Sequence, residues 1–536
     1  MNRPIPLLIL AFILFGCAPA TQTTLQTTPE PDSVSGIESS PEAESTTWWR
    51  EAVFYEIFVR SFYDSNGDGI GDFNGITQKL DYIQSLGVRG IWLMPIHPSP
   101  SYHGYDVLNY YAVSTQYGSM DDFKNFLNEA HKRNIKIIID LVLNHSSSRH
   151  PFFMDADGKT NSIYRDWYVW SGKPGNHWHL GRNGYYYGFF GNHMPDLNYR
   201  NPDVTRQMEN VTRYWLEDIG VDGFRLDAIK YLVEEDEKIE NTESTHEWLW
   251  EYYTFYKSTN PDAYTVGEVW GAGAFLTTKY RGQMDHIFNF ELANGFITSA
   301  QTGSNTYAVS ALKLALKDNP NFDFGSFLTN HDQNRTMSIL DGDTQKAKLS
   351  AFLMLTTPGT PFIYYGEEIG MKGQKPDPDI RLPMQWNADA NAGFTSGKPW
   401  RAVHEDYAQT NVAAQGDDPN SLLNHYRALI HIRQSHSALR TGKVFLIETG
   451  NPGVYAILCL DKDEILLVLA NLKDQSLSEY ALTLTGTSLS DSTYEPATLF
   501  GNEQVQPLAV TQGGFKNYKP VSALQPYSTL IVQFQP

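Results

Sequence analysis

From Trp48 onward, short apolar runs alternate with amphipathic helical patterns through most of the chain. Runs with no polar face need cover on both sides, as in a parallel sheet flanked by helices. They predict strands at 51–62, 90–95, 135–142, 223–226, 264–266, 286–290, 324–329 and 361–365. Helical periodicity predicts helices at 76–86, 121–133, 202–219, 247–256, 307–316, 344–355 and 421–433. Eight such units close into a barrel. The alternation lapses over 144–201, a stretch rich in Gly, Asn, His, Trp and Tyr that is too long for a simple loop. Beyond about Gly442, short alternating runs at 444–447, 455–458, 465–469 and 530–534 predict an antiparallel sandwich. The expected fold is α/β: a (β/α)8 TIM barrel over 47–143 and 202–440, a small domain inserted after strand 3 over 144–201, and a C-terminal β-sandwich over 441–536.

Three of the apolar runs release an acid at their C-terminal ends: Asp227, Glu268 and, a few residues on, Asp332. A fourth ends on Asn144 and His145. The C-terminal ends of barrel strands are where such folds do chemistry, and an acid-built site most often serves glycoside hydrolysis. Arg225 lies two residues before Asp227, so strand alternation puts both on one face, inside the barrel. Its fixed charge is expected to keep Asp227 ionised. With 41 Lys and Arg against 61 Asp and Glu, the chain carries a net charge of −20. That argues against nucleic-acid partners, which need a basic footprint.

The N-terminus reads as an export signal over 1–16: Arg3, then an apolar stretch over 6–15 that is too short to span a bilayer. Leu14, Phe15, Gly16 and Cys17 resemble a bacterial lipoprotein box, with Cys17 as the lipidated residue; a plain signal peptide cut nearby is the alternative. Residues 17–46, poor in large apolar side chains, are expected to form a disordered tether. The protein is therefore expected to be exported and lipid-anchored to a bacterial membrane, and to act as a monomer. The one other cysteine, Cys459, is expected to be buried and free.

The segments Asp140-Leu-Val-Leu-Asn-His145, Gly223-Phe-Arg-Leu-Asp-Ala228, Gly267-Glu-Val-Trp270 and Thr329-Asn-His-Asp332 resemble, in order and spacing, the four signature regions of the α-amylase superfamily. The resemblance implies Asp227 as nucleophile, Glu268 as general acid/base and Asp332 as the acid that grips sugar hydroxyls in the transition state. It also implies that His145 and His331 donate to the sugar being cleaved. Tyr105 would stack beneath that sugar, with Asp106 beside it. The substrate implied is an α-glucan or maltooligosaccharide.

The loop Asp64-Ser-Asn-Gly-Asp-Gly-Ile-Gly-Asp72 sets oxygen side chains at alternate positions around glycines, as a hard cation such as Ca²⁺ requires. Asp64, Asn66, Asp68, Asp72 and the Ile70 carbonyl would be the ligands, and the loop resembles a calcium loop of the family; a polar turn without metal is the alternative. A second Ca²⁺ site is implied by the resemblance at Asn144, Asp196 and the Tyr231 carbonyl. His97 is read as structural. His246 and Glu247 open like a zinc-protease helix, but Trp250 stands where the second His is needed.

Met194-Pro-Asp-Leu-Asn198 is similar to the group intermediate between oligo-1,6-glucosidases and neopullulanases, and Arg381-Leu-Pro-Met-Gln-Trp386 to the oligo-1,6-glucosidases. Three positions favour an endo-acting enzyme on α-1,4 links. Tyr102 stands where exo-acting relatives carry an Asp, and could stack on a further ring. Ala228 follows the nucleophile, where 1,6-specific relatives carry Val, and Lys230 matches a lysine used beyond the cleavage point. An exo-acting glucosidase or a 4-α-glucanotransferase on the same acids is the alternative.

Overall fold

The computed structural model describes residues 47–535 apart from 236, 272 and 463; the signal peptide, Cys17 and the tether lie outside the described residues. The chain forms β1 (Phe54–Ile57), β2 (Gly90–Leu93) and β3 (Lys136–Leu141). It then makes an excursion holding helix Pro151–Gly158 and three short strands, β4 (Trp170–Ser171), β5 (Trp178–Gly181) and β6 (Gly184–Tyr187). It returns for β7 (Gly223–Leu226), β8 (Tyr264–Gly267), β9 (His286–Phe288), β10 (Phe324–Ser326) and β11 (Thr360–Tyr364). Strands β1, β11, β10, β9, β8, β7, β3 and β2, in that order, close a parallel barrel.

Aromatic side chains fill its interior. Phe54 stacks on Phe362 at 4.6 Å, and Trp92, Ile138, Val266 and Phe288 pack in the same cluster. Just before β1 the single turn Trp48–Arg50 plugs the N-terminal end of the barrel. Trp49 stacks on Tyr264, Trp48 Nε1 donates to the Asp262 carbonyl, and Thr360 Oγ1 donates to the Trp49 carbonyl.

The helices form as their sequences dictate. Met120–Lys132 starts at a Ser119–Asp122 capping box and buries Phe123, Phe126, Leu127 and Ala130, one stripe at helical spacing. It ends where Asn134 turns to φ 56°, a left-handed geometry that asparagine tolerates. Two expectations need correction. The strand expected over 51–62 stops at Ile57 and becomes the turn Val59–Phe62, whose residues are also buried, so hydrophobicity does not mark the boundary. A helix not expected from sequence, Phe290–Thr302, follows β9. It buries Leu292, Ala293, Phe296, Ile297 and Ala300 on one side.

The C-terminal domain holds β12 (Lys443–Leu446), β13 (Val454–Asp461), β14 (Glu464–Asn471), β15 (Leu482–Leu484), β16 (Ser492–Phe500), β17 (Leu508–Val510), β18 (Phe515–Tyr518) and β19 (Thr529–Gln535). Six of them form an antiparallel sheet in the order β12, β13, β14, β19, β16, β17. The second layer is thin, the two-stranded ribbon of β15 and β18. Alternate residues of β13 serve two cores: Tyr455, Ile457 and Cys459 belong to the barrel's cluster, Ala456 and Leu458 to the domain's own. Cys459 is free and fully buried. Among the described residues no helix is long and apolar enough to cross a membrane.

Candidate active site

Arg225 organises the acids. It lies on β7 opposite Asp140 of β3 in register, and both point into the barrel where water is excluded. Its Nη1 donates to Asp140 Oδ1 at 2.8 Å and to Asp227 Oδ1 at 2.6 Å; its Nη2 donates to Glu268 Oε2 at 2.6 Å. Asp227 follows the last residue of β7 and Glu268 the last of β8, and each amide continues the ladder by donating to the neighbouring strand. One planar guanidinium thus holds two carboxyls side by side. Retaining glycosidases work with carboxyls about 5 Å apart, whereas inverting ones leave about 6.5–9.5 Å for a water.

Sequence suggested that Arg225 keeps Asp227 ionised. The structure shows that contact, with Arg225 favouring the ionised form of Asp227, and shows the guanidinium divided among three acids. Burial pushes the Asp227 carboxyl up to about 8, with Arg225 opposing and Asp140 and Glu268 adding to the rise. Burial also raises Glu268, again against Arg225. Such closely placed acids titrate as a group.

Asp332 is gripped from two sides. Arg381, a residue to which sequence assigned no role, donates from Nη2 to Asp332 Oδ1 at 2.7 Å and from Nε to the His331 carbonyl at 2.8 Å. His331 Nε2 lies 3.2 Å from Asp332 Oδ2 and 2.6 Å from the Tyr105 hydroxyl, while its Nδ1 lies 2.6 Å from Glu56 of β1. Burial opposes charge on His331, but Asp332 and Glu56 outweigh it and push its pKa up to about 10. His331 is therefore an imidazolium. Burial alone would raise Asp332, yet His331 and Arg381 hold it far below the ordinary carboxylate range. Asp332 is thus held as an anion by two cations.

Above these groups opens a cleft of about 400 Å³ whose walls include Tyr105, His145, Asp227, Lys230, Glu268 and Asp332. His103, Phe190, Trp270, Lys375 and Asp377 also line it, and sequence reasoning missed them. Lys230 Nζ pairs with Glu240 at 2.7 Å and donates to the Trp270 carbonyl at 3.1 Å. His145 is buried, with Nε2 unpaired, and burial brings its pKa down to about 3, so it is neutral. Three residues expected at the substrate stand back from the cleft lining: His331 is fully buried with both ring nitrogens engaged by Tyr105, Asp332 and Glu56, and Tyr102 and Asp106 lie elsewhere. Tyr102 stacks on Trp400 at 5.6 Å beneath Arg381. Asp106 accepts from the Ser99 and Ser101 hydroxyls and lines a different recess.

The two cation sites expected from sequence differ in one respect. In the first loop the oxygens are already engaged. Asp64 accepts from the amides of Asn66, Gly67 and Gly69 and from Thr395 Oγ1; Asp72 accepts from Ser65 and Gly75; Asn66 and Asp68 accept from the amides of Asp68 and Ile70. The loop keeps its shape by these bonds, and its all-oxygen donor set suits a hard cation. At the second place Asn144 Oδ1 and Asp196 Oδ2 are buried without a hydrogen-bond partner. Burial, then the charge of Glu234, push Asp196 well above the usual range, and burial raises Glu234 to about 7. Two unpaired buried oxygens beside a second acid are what a divalent cation would satisfy. Among the described residues no three His, Cys, Asp or Glu side chains converge as a metal cluster, so a cation in either place would depend on amide and backbone carbonyls as well.

Paired acids at the strand ends of a closed parallel barrel suit a glycoside hydrolase. Residues 56–442 match the Alpha-amylase family, described as "Alpha amylase, catalytic domain", and the chain belongs to that family. It is 42% identical over 435 residues to Alpha-amylase 3 of Dictyoglomus thermophilum, covering 79% of this chain and 85% of that protein. It is 34% identical over 515 residues to the oligo-1,6-glucosidase of Parageobacillus thermoglucosidasius, covering 80% and 91%. The crystal structure of α-amylase from H.orenii superposes with a TM-score of 0.79 at 38% identity, covering 90% of this chain and 99% of that one.

Proposed function

We propose that the protein hydrolyses internal α-1,4-glucosidic bonds of starch, glycogen and maltodextrins with retention, using Asp227 as nucleophile and Glu268 as general acid/base. The observation that carries the retaining chemistry is the Arg225 guanidinium holding both carboxyls. Asp227 attacks the anomeric carbon while Glu268 gives its proton to the leaving oxygen; Glu268 then takes a proton from the water that frees the sugar. Asp332, held anionic by Arg381 and His331, binds hydroxyls of the sugar at the cleavage point. Neutral His145 and the Tyr105 ring complete that seat, and Lys230 lies on the leaving side.

Endo-action is supported by the absence of a carboxylate at Tyr102 and by likeness to two proteins named α-amylase. Relatives named oligo-1,6-glucosidase and trehalose-6-phosphate hydrolase keep an exo-acting reading open. Reducing-end-labelled maltoheptaose separates them. Early mid-length products indicate endo-cleavage, glucose alone from the start indicates an exo-glucosidase, and products longer than the substrate indicate a transferase.

The pH profile of kcat/KM is expected to be bell-shaped. Activity falls toward acid as the nucleophile is protonated and toward alkali as the acid/base loses its proton. Because burial raises both acids, which titrate as a coupled group, both limbs lie above the ordinary carboxylate range. In Glu268→Gln the alkaline limb disappears for substrates whose leaving group needs no proton. An unchanged alkaline limb would assign it elsewhere.

Ca²⁺ is proposed at both oxygen sites, where it would organise the loop after β1 and the root of the excursion. Removal by EDTA is expected to lower the thermal midpoint, and Ca²⁺ to restore it; a ligand at a hundred times its Kd contributes about 2.7 kcal/mol. In Asn144→Ala the part due to the second site should vanish. An EDTA-insensitive midpoint would count against both sites. The export signal and lipid on Cys17 are likewise proposed, and the mass of the membrane-extracted N-terminal peptide tests them. The enzyme is proposed to act as a monomer.

A further inference from the structure

A second recess, of about 310 Å³, opens beside the cleft between Pro100, Ser101, Asp106, Arg149, Asn192 and His193. The two cavities share a thin wall. His103 lines the cleft and Ser101 and Asp106 the recess; Met194 lines the cleft and Asn192 and His193 the recess. The rings of His103 and His193 stand 6.5 Å apart at that wall. The chain leaving β3 passes from one cavity to the other, since His145 lines the cleft while Ser147 and Arg149 line the recess.

The chemistry of the recess is one-sided. Apart from Pro100, every lining side chain offers a hydroxyl, carboxylate, guanidinium, amide or imidazole. No aromatic face or aliphatic floor is present to favour an apolar ligand. Asp106 is 2% exposed, with Oδ1 fixed by the Ser99 and Ser101 hydroxyls. A carboxylate that accepts and a guanidinium that donates, facing one space, suit a ligand carrying several hydroxyls.

We propose that this recess seats a single glucosyl branch, α-1,6-linked to the glucan chain that occupies the cleft. The proposal rests on the reading of the enzyme as a glucan hydrolase and extends it to branched substrate. The branch leaves the main chain beside His145, which lines the cleft, and follows the same stretch of chain to Ser147 and Arg149 at the recess. Asp106 and Arg149 hold the branch, and His103 separates it from the acids.

The test compares kcat/KM on linear maltoheptaose and on a maltooligosaccharide carrying one 6-O-α-glucosyl branch, for wild type, Arg149→Ala and Ser148→Trp. Losing a charge-assisted hydrogen bond should lower branched-substrate kcat/KM about tenfold in Arg149→Ala, with linear cleavage kept within about twofold. Ser148→Trp, which fills the recess, should give the same selective loss even if water replaces the arginine. Parallel loss on both substrates, or no loss on the branched one, overturns the proposal. A wild type that cleaves linear but not branched substrate overturns the branch site alone; one that cleaves neither overturns the glucan reading and the branch site with it.

Discussion

Asp227→Asn is expected to lower kcat on maltoheptaose by on the order of 10⁴-fold or more while leaving the folded protein intact. The amide oxygen can still accept from Arg225 Nη1, now 2.6 Å from Asp227 Oδ1, so the guanidinium keeps its place between Asp140 and Glu268. What disappears is the carboxylate that forms the glycosyl ester. A loss of 10⁴ corresponds to about 5.4 kcal/mol of transition-state stabilisation. Glu268→Gln should differ in kind. General acid catalysis contributes about 10²–10⁴-fold, so starch cleavage falls by that amount, whereas a glucosyl fluoride, whose leaving group needs no proton, loses far less in the first step. If Asp227→Asn retained more than a few per cent of activity, or Glu268→Gln impaired both substrates equally, the two roles would be wrongly assigned.

The second large effect is structural. Arg225→Met is expected to cost about 3–5 kcal/mol of stability, because it leaves Asp140, Asp227 and Glu268 buried without their common cation. The pH dependence gives the loss a signature. Burial already raises the folded pKa of all three acids, and Arg225 opposes that rise. Without it the folded pKa values climb further above the unfolded ones. Stability from groups raised in this way is fully present below the unfolded pKa and is lost as pH rises through the folded pKa. The variant should therefore be closest to wild type near pH 4 and increasingly destabilised toward pH 8, read from denaturant midpoints at both ends. Equal destabilisation at both pH values would mean the arginine acts by packing alone.

The acids themselves were legible because each ends a buried run, and a carboxylate there has few structural uses. Arg225 beside Asp227 was legible too, from strand alternation, but the partners across the barrel were not. Glu56 and Asp140 sit within strands, where neighbours in sequence say nothing of the His331 imidazole or the Arg225 guanidinium across the barrel. Arg381 grips Asp332 from a loop 49 residues away, a contact that only barrel closure creates. Tyr102 was placed correctly in the chain but not in space. Its ring packs on Trp400, 298 residues on, and this long-range stack keeps it out of the cleft lining. The helix Phe290–Thr302 was missed although its buried residues Leu292, Ala293, Phe296, Ile297 and Ala300 recur at helical spacing.

The plug formed by Trp48–Arg50 has a mechanical meaning. Its bonds to Asp262, Asn321 and Thr360 fasten Thr47 to the floor of the barrel, at the pole opposite the cleft. Load applied to the chain upstream of Thr47 is borne by that floor and spread over several strands before it reaches the rim. The walls of the cleft are built from loops at the other pole, which these bonds do not touch.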